Sequence, residues 1–277
     1  MNDLLNDFKK IAYSRAVNFR DKYELGNYCG KQIIDILSLI ERMENIKIKL
    51  IRTPLNDMNI SGFVGYKHGI FIVVSNTNQT LGSERFTIVH EIYHILEDRV
   101  YIKEGSVIEG SAIEESYNDS EKSYRDIMAN AFAAEFLMPK KSLEKYTEGK
   151  EIDTAIVVEL QHKYGVDYEA ICKRLREINI ISVKEEEELE KILVQDGKLE
   201  LITKQLGYSN DLNTPSKDTY LLQKDLRILK DNYDNGATSY DDLYRIFSYL
   251  GCRPEKFGYE EDLSISDEAV DFMNSLM

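Results

Sequence analysis

The pentapeptide His90-Glu91-Ile92-Tyr93-His94 constrains what this chain can fold into more than any other segment. Residues four apart lie one above the other on a helix face, so the imidazoles of His90 and His94 can converge on a single zinc ion. Glu91 is displaced by one position, and its carboxylate can reach a water bound at the remaining coordination site. Apolar residues recur at helical spacing through this segment, at Phe86, Val89, Ile92 and Leu96. The pattern therefore predicts a half-buried helix that carries two zinc ligands and a general base.

A catalytic zinc site needs a third protein ligand, and Asp126 is the best candidate downstream. It opens a run of small and apolar residues at helical spacing that ends at Pro139. Asp126 and Asn130 share a helix face, so one can bind the metal while the other hydrogen-bonds the far nitrogen of a ligating histidine. We assign the ligand role to Asp126 and the orienting role to Asn130. Three alanines would let this helix approach the first one closely: Ala129, Ala133 and Ala134.

Short runs rich in Ile, Val, Phe and Tyr follow about 45 residues of helical pattern and predict a small antiparallel sheet. The predicted strands are 46–50, 62–66 and 69–75, and Lys67-His68-Gly69 would join the last two as a hairpin. A sheet edge beside the metal-binding helix can hold an extended peptide by main-chain pairing. We expect Ile70 to Asn76 to form that edge, with an interior strand as the alternative.

Three blocks of the sequence resemble the ImmA/IrrE family of zinc-dependent metallo-endopeptidases. They run from Asn59 to His94, from Asp126 to Pro139 and from Leu160 to Ile181. The resemblance covers roughly residues 45 to 181 and implies an α+β fold with a zincin-like metalloprotease core, in which the HExxH helix packs beside a small sheet. It also implies an intracellular endopeptidase that cuts a protein substrate, a cognate helix-turn-helix transcriptional repressor.

The third ligand departs from the family pattern. The family usually has glutamate where this chain has Asp126, which is shorter by one methylene. Zinc accepts either carboxylate, so the helix would have to lie closer to the metal or the metal would bind more weakly. Glu121 and Glu135 are other carboxylates of this region, but the motif places neither of them. Two histidines and one carboxylate accept several divalent ions, and manganese remains an alternative to zinc.

Composition and charge limit which cellular compartment and which partners are expected for this protein. The chain has 277 residues, 43% of them apolar and 30% charged, which is a normal balance for a globular protein. We expect a cytoplasmic protein without a membrane partner, because no apolar run approaches 18 residues and the amino terminus lacks signal-peptide features. A net charge of -14 argues against direct nucleic-acid binding. The three cysteines are widely spaced and are predicted to be reduced: Cys29, Cys172 and Cys252.

The predicted domains are 1–182, a metallopeptidase domain with amino-terminal helices and a trailing helical hairpin, and 183–277, a helical domain that binds or positions a partner. In the first domain, the polar segment 101–120 is predicted to be a mobile lid or a long loop. In the second, helices are predicted over 219–232, 239–249 and 266–277. No catalytic spacing appears in the second domain.

Two other functions stay open on the sequence alone. A non-catalytic protein that binds a partner through the peptidase fold is favoured by the shortened Asp126. A DNA-binding regulator would use the hairpin from Leu160 to Ile181, with four basic side chains facing phosphate: Lys163, Lys173, Arg174 and Arg176.

Overall fold

The computed structural model describes residues 2–26, 30–55, 57–102, 107–110, 120–219, 223–249 and 253–259. The chain divides into two compact units, Met1–Tyr220 and Leu221–Met277. The first unit contains nine described helices and four described strands, an α+β architecture. Its helices are α1 (Asn2–Lys22), α2 (Ile33–Glu44), α3 (Leu81–Glu97), α4 (Ser120–Leu137), α5 (Lys140–Thr147), α6 (Thr154–Tyr164), α7 (Tyr168–Glu177), α8 (Val183–Glu190) and α9 (Lys198–Gln205). Its strands are β1 (Lys47–Thr53), β2 (Gly62–Lys67), β3 (Ile70–Asn76) and β4 (Val107–Gly110).

The sheet has the order β1-β3-β2-β4. β3 pairs parallel with β1 and antiparallel with β2, and β2 pairs antiparallel with β4. The sheet is therefore mixed, not wholly antiparallel as the sequence pattern predicted. The predicted hairpin between β2 and β3 is present, and its turn residues His68 and Gly69 both have positive φ, of 50° and 77°. Positive φ at both central residues is the requirement of a type I′ turn, which matches the twist of the flanking strands.

The prediction that Ile70 to Asn76 forms the sheet edge is wrong, because β3 lies between β1 and β2. The reason is visible in its composition. β3 buries residues of both faces, among them Phe71, Val73 and Val74, and a strand covered on both faces belongs in the interior of a sheet. Among the described strands, the edges are β1 and β4.

A buried ion pair fixes α3 to the sheet. The guanidinium of Arg52 on β1 donates two hydrogen bonds to the carboxylate of Glu84, at 2.6 and 2.7 Å, and the Ser75 hydroxyl on β3 donates a third at 2.7 Å. Glu84 lies in the first turn of α3, where the helix dipole also favours a negative charge. The helix starts after Thr80, whose hydroxyl oxygen accepts a hydrogen bond from the Ser83 amide at 3.1 Å.

The core lies between the sheet and the helices that cover it. α3 packs on β2 and β3 with one side and on α4 with another, and α1 packs along α4. The facing residues of α3 are fully buried, and α4 contributes small side chains at Ala129 and Ala133. The predicted close approach of these two helices is therefore present. It places residues of α3 and α4 opposite each other at the edge of the core.

Four described residues of the segment 101–120, Val107 to Gly110, form β4 and pair with β2. The lid or loop prediction missed this strand, since it is only four residues long and flanked by polar sequence. Residues 103–106 and 111–119, which carry the rest of that prediction, lie outside the described residues. The first unit also extends past residue 182, because α8 packs on α7 and α9 packs on α6.

The second unit contains α10 (Gln223–Asp234) and α11 (Tyr240–Tyr249) among its described residues. These correspond to two of its predicted helices, whereas 266–277 lies outside the described residues. Cys172 is buried as a free thiol, and Cys29 and Cys252 are likewise outside the described part. No helix within the described ranges combines the length and apolarity that a membrane crossing requires.

Candidate metal centre

Two facing helices bring three potential metal ligands together. α3 supplies His90 and His94, one turn apart, and α4 supplies Asp126. The two Nε2 atoms lie 3.1 Å apart, and the Asp126 Oδ1 atom lies 3.9 Å from His90 Nε2 and 3.6 Å from His94 Nε2. Ligands of a tetrahedral zinc ion with bonds of 2.0–2.1 Å are separated by about 3.3 Å. The three atoms therefore have the spacing that a single ion requires.

The outer nitrogens of both histidines are held by acceptor oxygens. His90 Nδ1 donates to Asn130 Oδ1 at 2.9 Å, and His94 Nδ1 donates to Asp98 Oδ2 at 2.7 Å. Amide and carboxylate oxygens only accept, so each Nδ1 carries the proton of this bond. Each Nε2 then presents a lone pair toward the other ligands when the ring is neutral, as metal binding requires.

Unpaired carboxylate oxygens at the centre fit a cation and its water. Both Glu91 oxygens and Asp126 Oδ1 are buried without a hydrogen-bond partner among the described residues. Buried polar atoms are almost always paired in folded proteins, and orphans mark places where an ion or a water belongs. Two imidazoles and a carboxylate are a donor set that zinc accepts, so the residues present fit the metal.

Burial and charge set the protonation of this cluster. Burial lowers the pKa of His90 to about 4, helped by the charge of His94, so its ring is neutral at pH 7. Burial also lowers the pKa of His94, but the nearby Asp126 carboxylate, the hydrogen bond with Asp98 and the charge of Glu91 outweigh that effect and raise it to about 9. A divalent cation would take the place of the proton on His94 Nε2 and would be bound by the same Asp126 carboxylate. Burial raises the pKa of Glu91 to about 8.

Comparison with known proteins agrees with this geometry. Residues 43–176 match the family described as IrrE N-terminal-like domain, Peptidase_M78. This stretch is an IrrE N-terminal-like domain. The match extends from the end of α2 through the sheet, α3 and α4 to α7, and thus includes every residue of the candidate centre. A metallopeptidase family implies a bound metal, and His90, His94 and Asp126 lie close enough to bind one.

Comparisons with individual proteins provide less information than the family match. None of the curated proteins compared with the chain matches it. Among solved structures, a Mycobacterium tuberculosis transcriptional regulator is similar at 16% sequence identity and a TM-score of 0.39, over 63% of this chain and 49% of that one. The chain thus spans about half the length of that regulator.

In this IrrE N-terminal-like domain, the five residues that the sequence analysis assigned to the site lie close together: His90, Glu91, His94, Asp126 and Asn130. Sequence reasoning missed one partner, Asp98. The signal was present, because Asp98 follows His94 by four residues and so continues the same face of α3. Asp98 lies just after α3, so the sequence alone also allowed an exposed acid beyond the helix, whereas in the structure it is only 6% exposed.

Glu135, one of the alternative ligands, lies elsewhere in the domain. Its carboxylate accepts a hydrogen bond from the buried guanidinium of Arg174 and is not part of the three-ligand group. The side chain of Glu121, the other alternative, lies outside the described part of the chain.

The basic residues of the α6–α7 hairpin do not form a free positive face. Each has an acidic or aromatic neighbour within the domain. The pairs are Lys173 with Glu169, Arg174 with Glu135 and Glu177, Arg176 with Glu186, and Lys163 over the ring of Tyr146. Arg174 is also fully buried. The feature that favoured a DNA-binding regulator therefore loses its support.

Proposed function

We propose that this protein is a zinc-dependent endopeptidase in which His90, His94 and Asp126 hold the metal and Glu91 moves the proton. The observation that carries the proposal is the Glu91 carboxylate, which is fully buried beside the three ligands and has no hydrogen-bond partner among the described residues. A purely structural glutamate at this depth would be expected to have a partner. Manganese is the alternative metal for the same ligands.

The residues of the site divide the work of peptide hydrolysis. A zinc ion held by His90, His94 and Asp126 would supply Lewis-acid chemistry, lowering the pKa of a water to about 7 and polarising the scissile carbonyl. Glu91 would accept the proton of the attacking water and pass it to the leaving amine, a role for which its buried, unpartnered carboxylate lies beside the three ligands. Asp98 and Asn130 hold the imidazole rings so that both Nε2 atoms face the position that the metal would occupy.

The proposed substrate is a protein, a cognate helix-turn-helix repressor, as the family resemblance implies. The net charge of -14 and the internally paired basic residues of the α6–α7 hairpin favour a protein over a nucleic acid as the direct partner. We assign residues 183–277 to the positioning of that partner. The reaction belongs in the cytoplasm, where buried thiols such as Cys172 remain reduced.

Metal content and cleavage test the proposal together. Wild-type protein loaded with zinc and then dialysed should retain about one ion per chain, and Asp126→Ala should lose it. With an unfolded protein such as casein as substrate, Glu91→Gln should keep the zinc and lose cleavage by about 10²- to 10⁴-fold. Glu97→Gln is the matched control, because Glu97 lies on the same helix in a partly exposed ion pair with Arg15.

Two results would overturn the proposal. Wild-type protein that holds neither zinc nor manganese lacks the cofactor on which the chemistry depends. Glu91→Gln that cleaves as fast as wild type would remove the general base. A Glu91→Gln protein with full biological effect would instead favour the non-catalytic partner-binding protein. The short side chain of Asp126 no longer favours that alternative, since its Oδ1 atom lies within 3.9 Å of both imidazole nitrogens.

A further inference from the structure

A cavity of about 940 Å³ is lined by residues of α1, α5 and α7, and we call it the α1–α5 cavity. Its lining contains six basic side chains and three acidic ones. The basic residues are Lys10 and Arg20 on α1, Lys140, Lys141 and Lys145 on α5, and Arg174 on α7. No residue of the candidate metal centre lines the cavity. In a chain with a net charge of -14, it is a positive region whose residues take no part in the proposed hydrolysis.

The acidic residues of the lining leave most of the lysine charge unbalanced. Glu135 and Glu177 are both paired with the buried guanidinium of Arg174. Glu177 also pairs with Lys9, at 3.4 Å. The third acid is Asp21, which is exposed. The inner carboxylates are therefore already bound by cations, and the lysines of the lining need a counter-charge from elsewhere.

Two of the four lysines have no ion-pair partner among the described residues, Lys141 and Lys145. The other two have partners only within their own helices. Lys10 pairs with Asp7 at 3.0 Å and Lys140 with Glu144 at 3.7 Å, and both pairs are exposed. Exposed pairs of this kind contribute little to stability, so these lysines can exchange their partners for a ligand at little cost.

The lysines of α5 stand where a helix ordinarily carries acids. Lys140 and Lys141 are its first two residues, its first turn contains no acid, and no side chain caps it. The Lys140 amide donates a long hydrogen bond, of 3.3 Å, to Glu135, which is already paired with Arg174. Because the amino-terminal end of a helix is positive, lysines there oppose helix formation. Departures from a local rule are expected where a function requires them, and an anion bound here would remove the repulsion.

The volume of the cavity and the spread of its charge define the ligand. Pockets for small molecules measure about 300–1,000 Å³, so this cavity is large enough for a ligand much bigger than a single inorganic anion. Its lysines come from two helices, so a ligand that contacts both helices must carry negative charge at more than one place. Lysine binds phosphate as a point charge, and a helix amino terminus adds to that attraction.

We propose that the α1–α5 cavity binds a small molecule with two or more linked phosphate groups. Nucleoside triphosphates and inorganic polyphosphate share this chemistry. The lysines of α1 and α5 contact the phosphates, while the buried ion pairs of Arg174 form the floor of the cavity. This binding goes beyond the proposed peptidase function and does not depend on it.

Titration calorimetry with inorganic tripolyphosphate tests the proposal on the full-length, metal-free protein at physiological ionic strength. Wild type should show one saturable site and should bind orthophosphate more weakly. The double variant Lys141→Gln/Lys145→Gln should bind tripolyphosphate more weakly by about tenfold or more, because two cations are lost beside a polyanion. Asp21→Asn should bind it more tightly, because it removes the exposed carboxylate of the lining.

Lys184→Gln is the matched control. Lys184 is the second residue of the eight-residue helix α8, as Lys141 is of the eight-residue helix α5. It is exposed, has no ion-pair partner among the described residues and does not line the cavity. Its substitution should leave tripolyphosphate binding unchanged. Unfolding in urea checks that every variant is folded at the temperature of the titration.

Three results would overturn the proposal: wild type without saturable tripolyphosphate binding, equal effects of Lys184→Gln and of the double variant, or orthophosphate bound as tightly as tripolyphosphate. A parallel titration with ATP distinguishes the two sources of the ligand. Tighter binding of ATP than of tripolyphosphate supports the proposal with a nucleotide as ligand. Binding of ATP that is no tighter supports it with inorganic polyphosphate.

Discussion

Replacing Asp98 by alanine should weaken zinc binding although Asp98 does not touch the metal. Its carboxylate holds His94 at 2.7 Å, and the two side chains are only 8% and 1% exposed. A charge-assisted hydrogen bond shielded from water in this way is stronger than a neutral one at the surface. Partners of ligating histidines contribute about 10- to 100-fold to metal affinity, or about 1.4 to 2.7 kcal/mol. The burial of this pair places Asp98→Ala near the upper end of that range.

The second histidine offers an internal comparison. Asn130 accepts the hydrogen bond from His90 at 2.9 Å, but it is a neutral amide on an exposed residue. Asn130→Ala should therefore lie near the lower end, at about tenfold. Asp98→Asn keeps an acceptor oxygen without the charge and should fall between the two. We expect the zinc affinities of these three variants to rank by the charge and burial of the histidine's hydrogen-bond partner. How far that partner lies from the histidine in sequence should not matter.

Competition with a chromophoric zinc chelator at neutral pH measures these affinities directly. Glu97→Gln is the control for Asp98→Ala, because Glu97 precedes Asp98 and pairs with Arg15 away from His94. Unfolding in urea checks that each variant retains its fold. If Asp98→Ala binds zinc within twofold of wild type while folded, the argument that this carboxylate orients His94 is refuted.

Three further pairs of substitutions test the ligand set and the packing of the domain. Asp126→Glu should retain about one zinc ion per chain, because zinc accepts either carboxylate, whereas Asp126→Asn should lose it; metal analysis after dialysis decides. Arg174→Ala should lower the free energy of unfolding by about 3–5 kcal/mol, since it removes the ion-pair partner of the buried Glu135 carboxylate. Lys173→Ala, in an exposed pair one residue away, should cost about 0.3–0.5 kcal/mol in the same urea titration. Gly82→Ala should destabilise by about 1–3 kcal/mol, because the added Cβ would lie 2.0 Å from a backbone nitrogen of α7's amino-terminal cap; Gly26→Ala, with nothing within 4 Å, should not.

Each of these predictions has a result that contradicts it. Zinc retained by Asp126→Asn would mean that another group is the third ligand. Equal losses of stability for Arg174→Ala and Lys173→Ala would show that burial does not govern this ion-pair network. A Gly82→Ala protein as stable as wild type would mean that α3 and α7 can separate at this point without cost.

The proximity of the proposed metal ligands was predictable because helical periodicity fixes the geometry of His90 and His94 locally. The pair His90 and His94 needs only one turn of helix to face the same point. Asp126 and Asn130 needed one more step, the pairing of two helices, and the alanines of the second helix supplied the reason for their close approach. Asp98 could have been predicted from the same helical spacing, because it lies one turn after His94 on the same face of α3. Asp98 stands at the carboxyl-terminal end of α3, where the helix dipole disfavours an acid, and this was a second sign that its carboxylate has a specific partner.

The order of the strands in the sheet could not be predicted from local sequence spacing. Period and composition identify a strand but not its neighbours, and a hairpin fixes only the pairing of its own two strands. The parallel pairing of β1 with β3 depends on contacts between residues 23 positions apart in the chain, Lys47 with Ile70 at the start of the register. The near-continuous apolar run of β3, Ile70-Phe71-Ile72-Val73-Val74, was the one local sign of an interior position.

The short side chain of Asp126, the proposed third ligand, and the small residues of α4 are related through the packing of α4 against α3. A carboxylate one methylene shorter than glutamate reaches the metal only if its helix lies closer to α3. Ala129 and Ala133 face the core with no exposed surface, three and seven residues after Asp126, so the side of α4 that carries the ligand is also the side with the smallest side chains. The observed separations of 3.6 and 3.9 Å from Asp126 to the two imidazole nitrogens show the approach to be sufficient. Enlarging either alanine would push the carboxylate outward, so we expect a larger residue at position 129 or 133 to weaken the proposed metal binding without touching the ion.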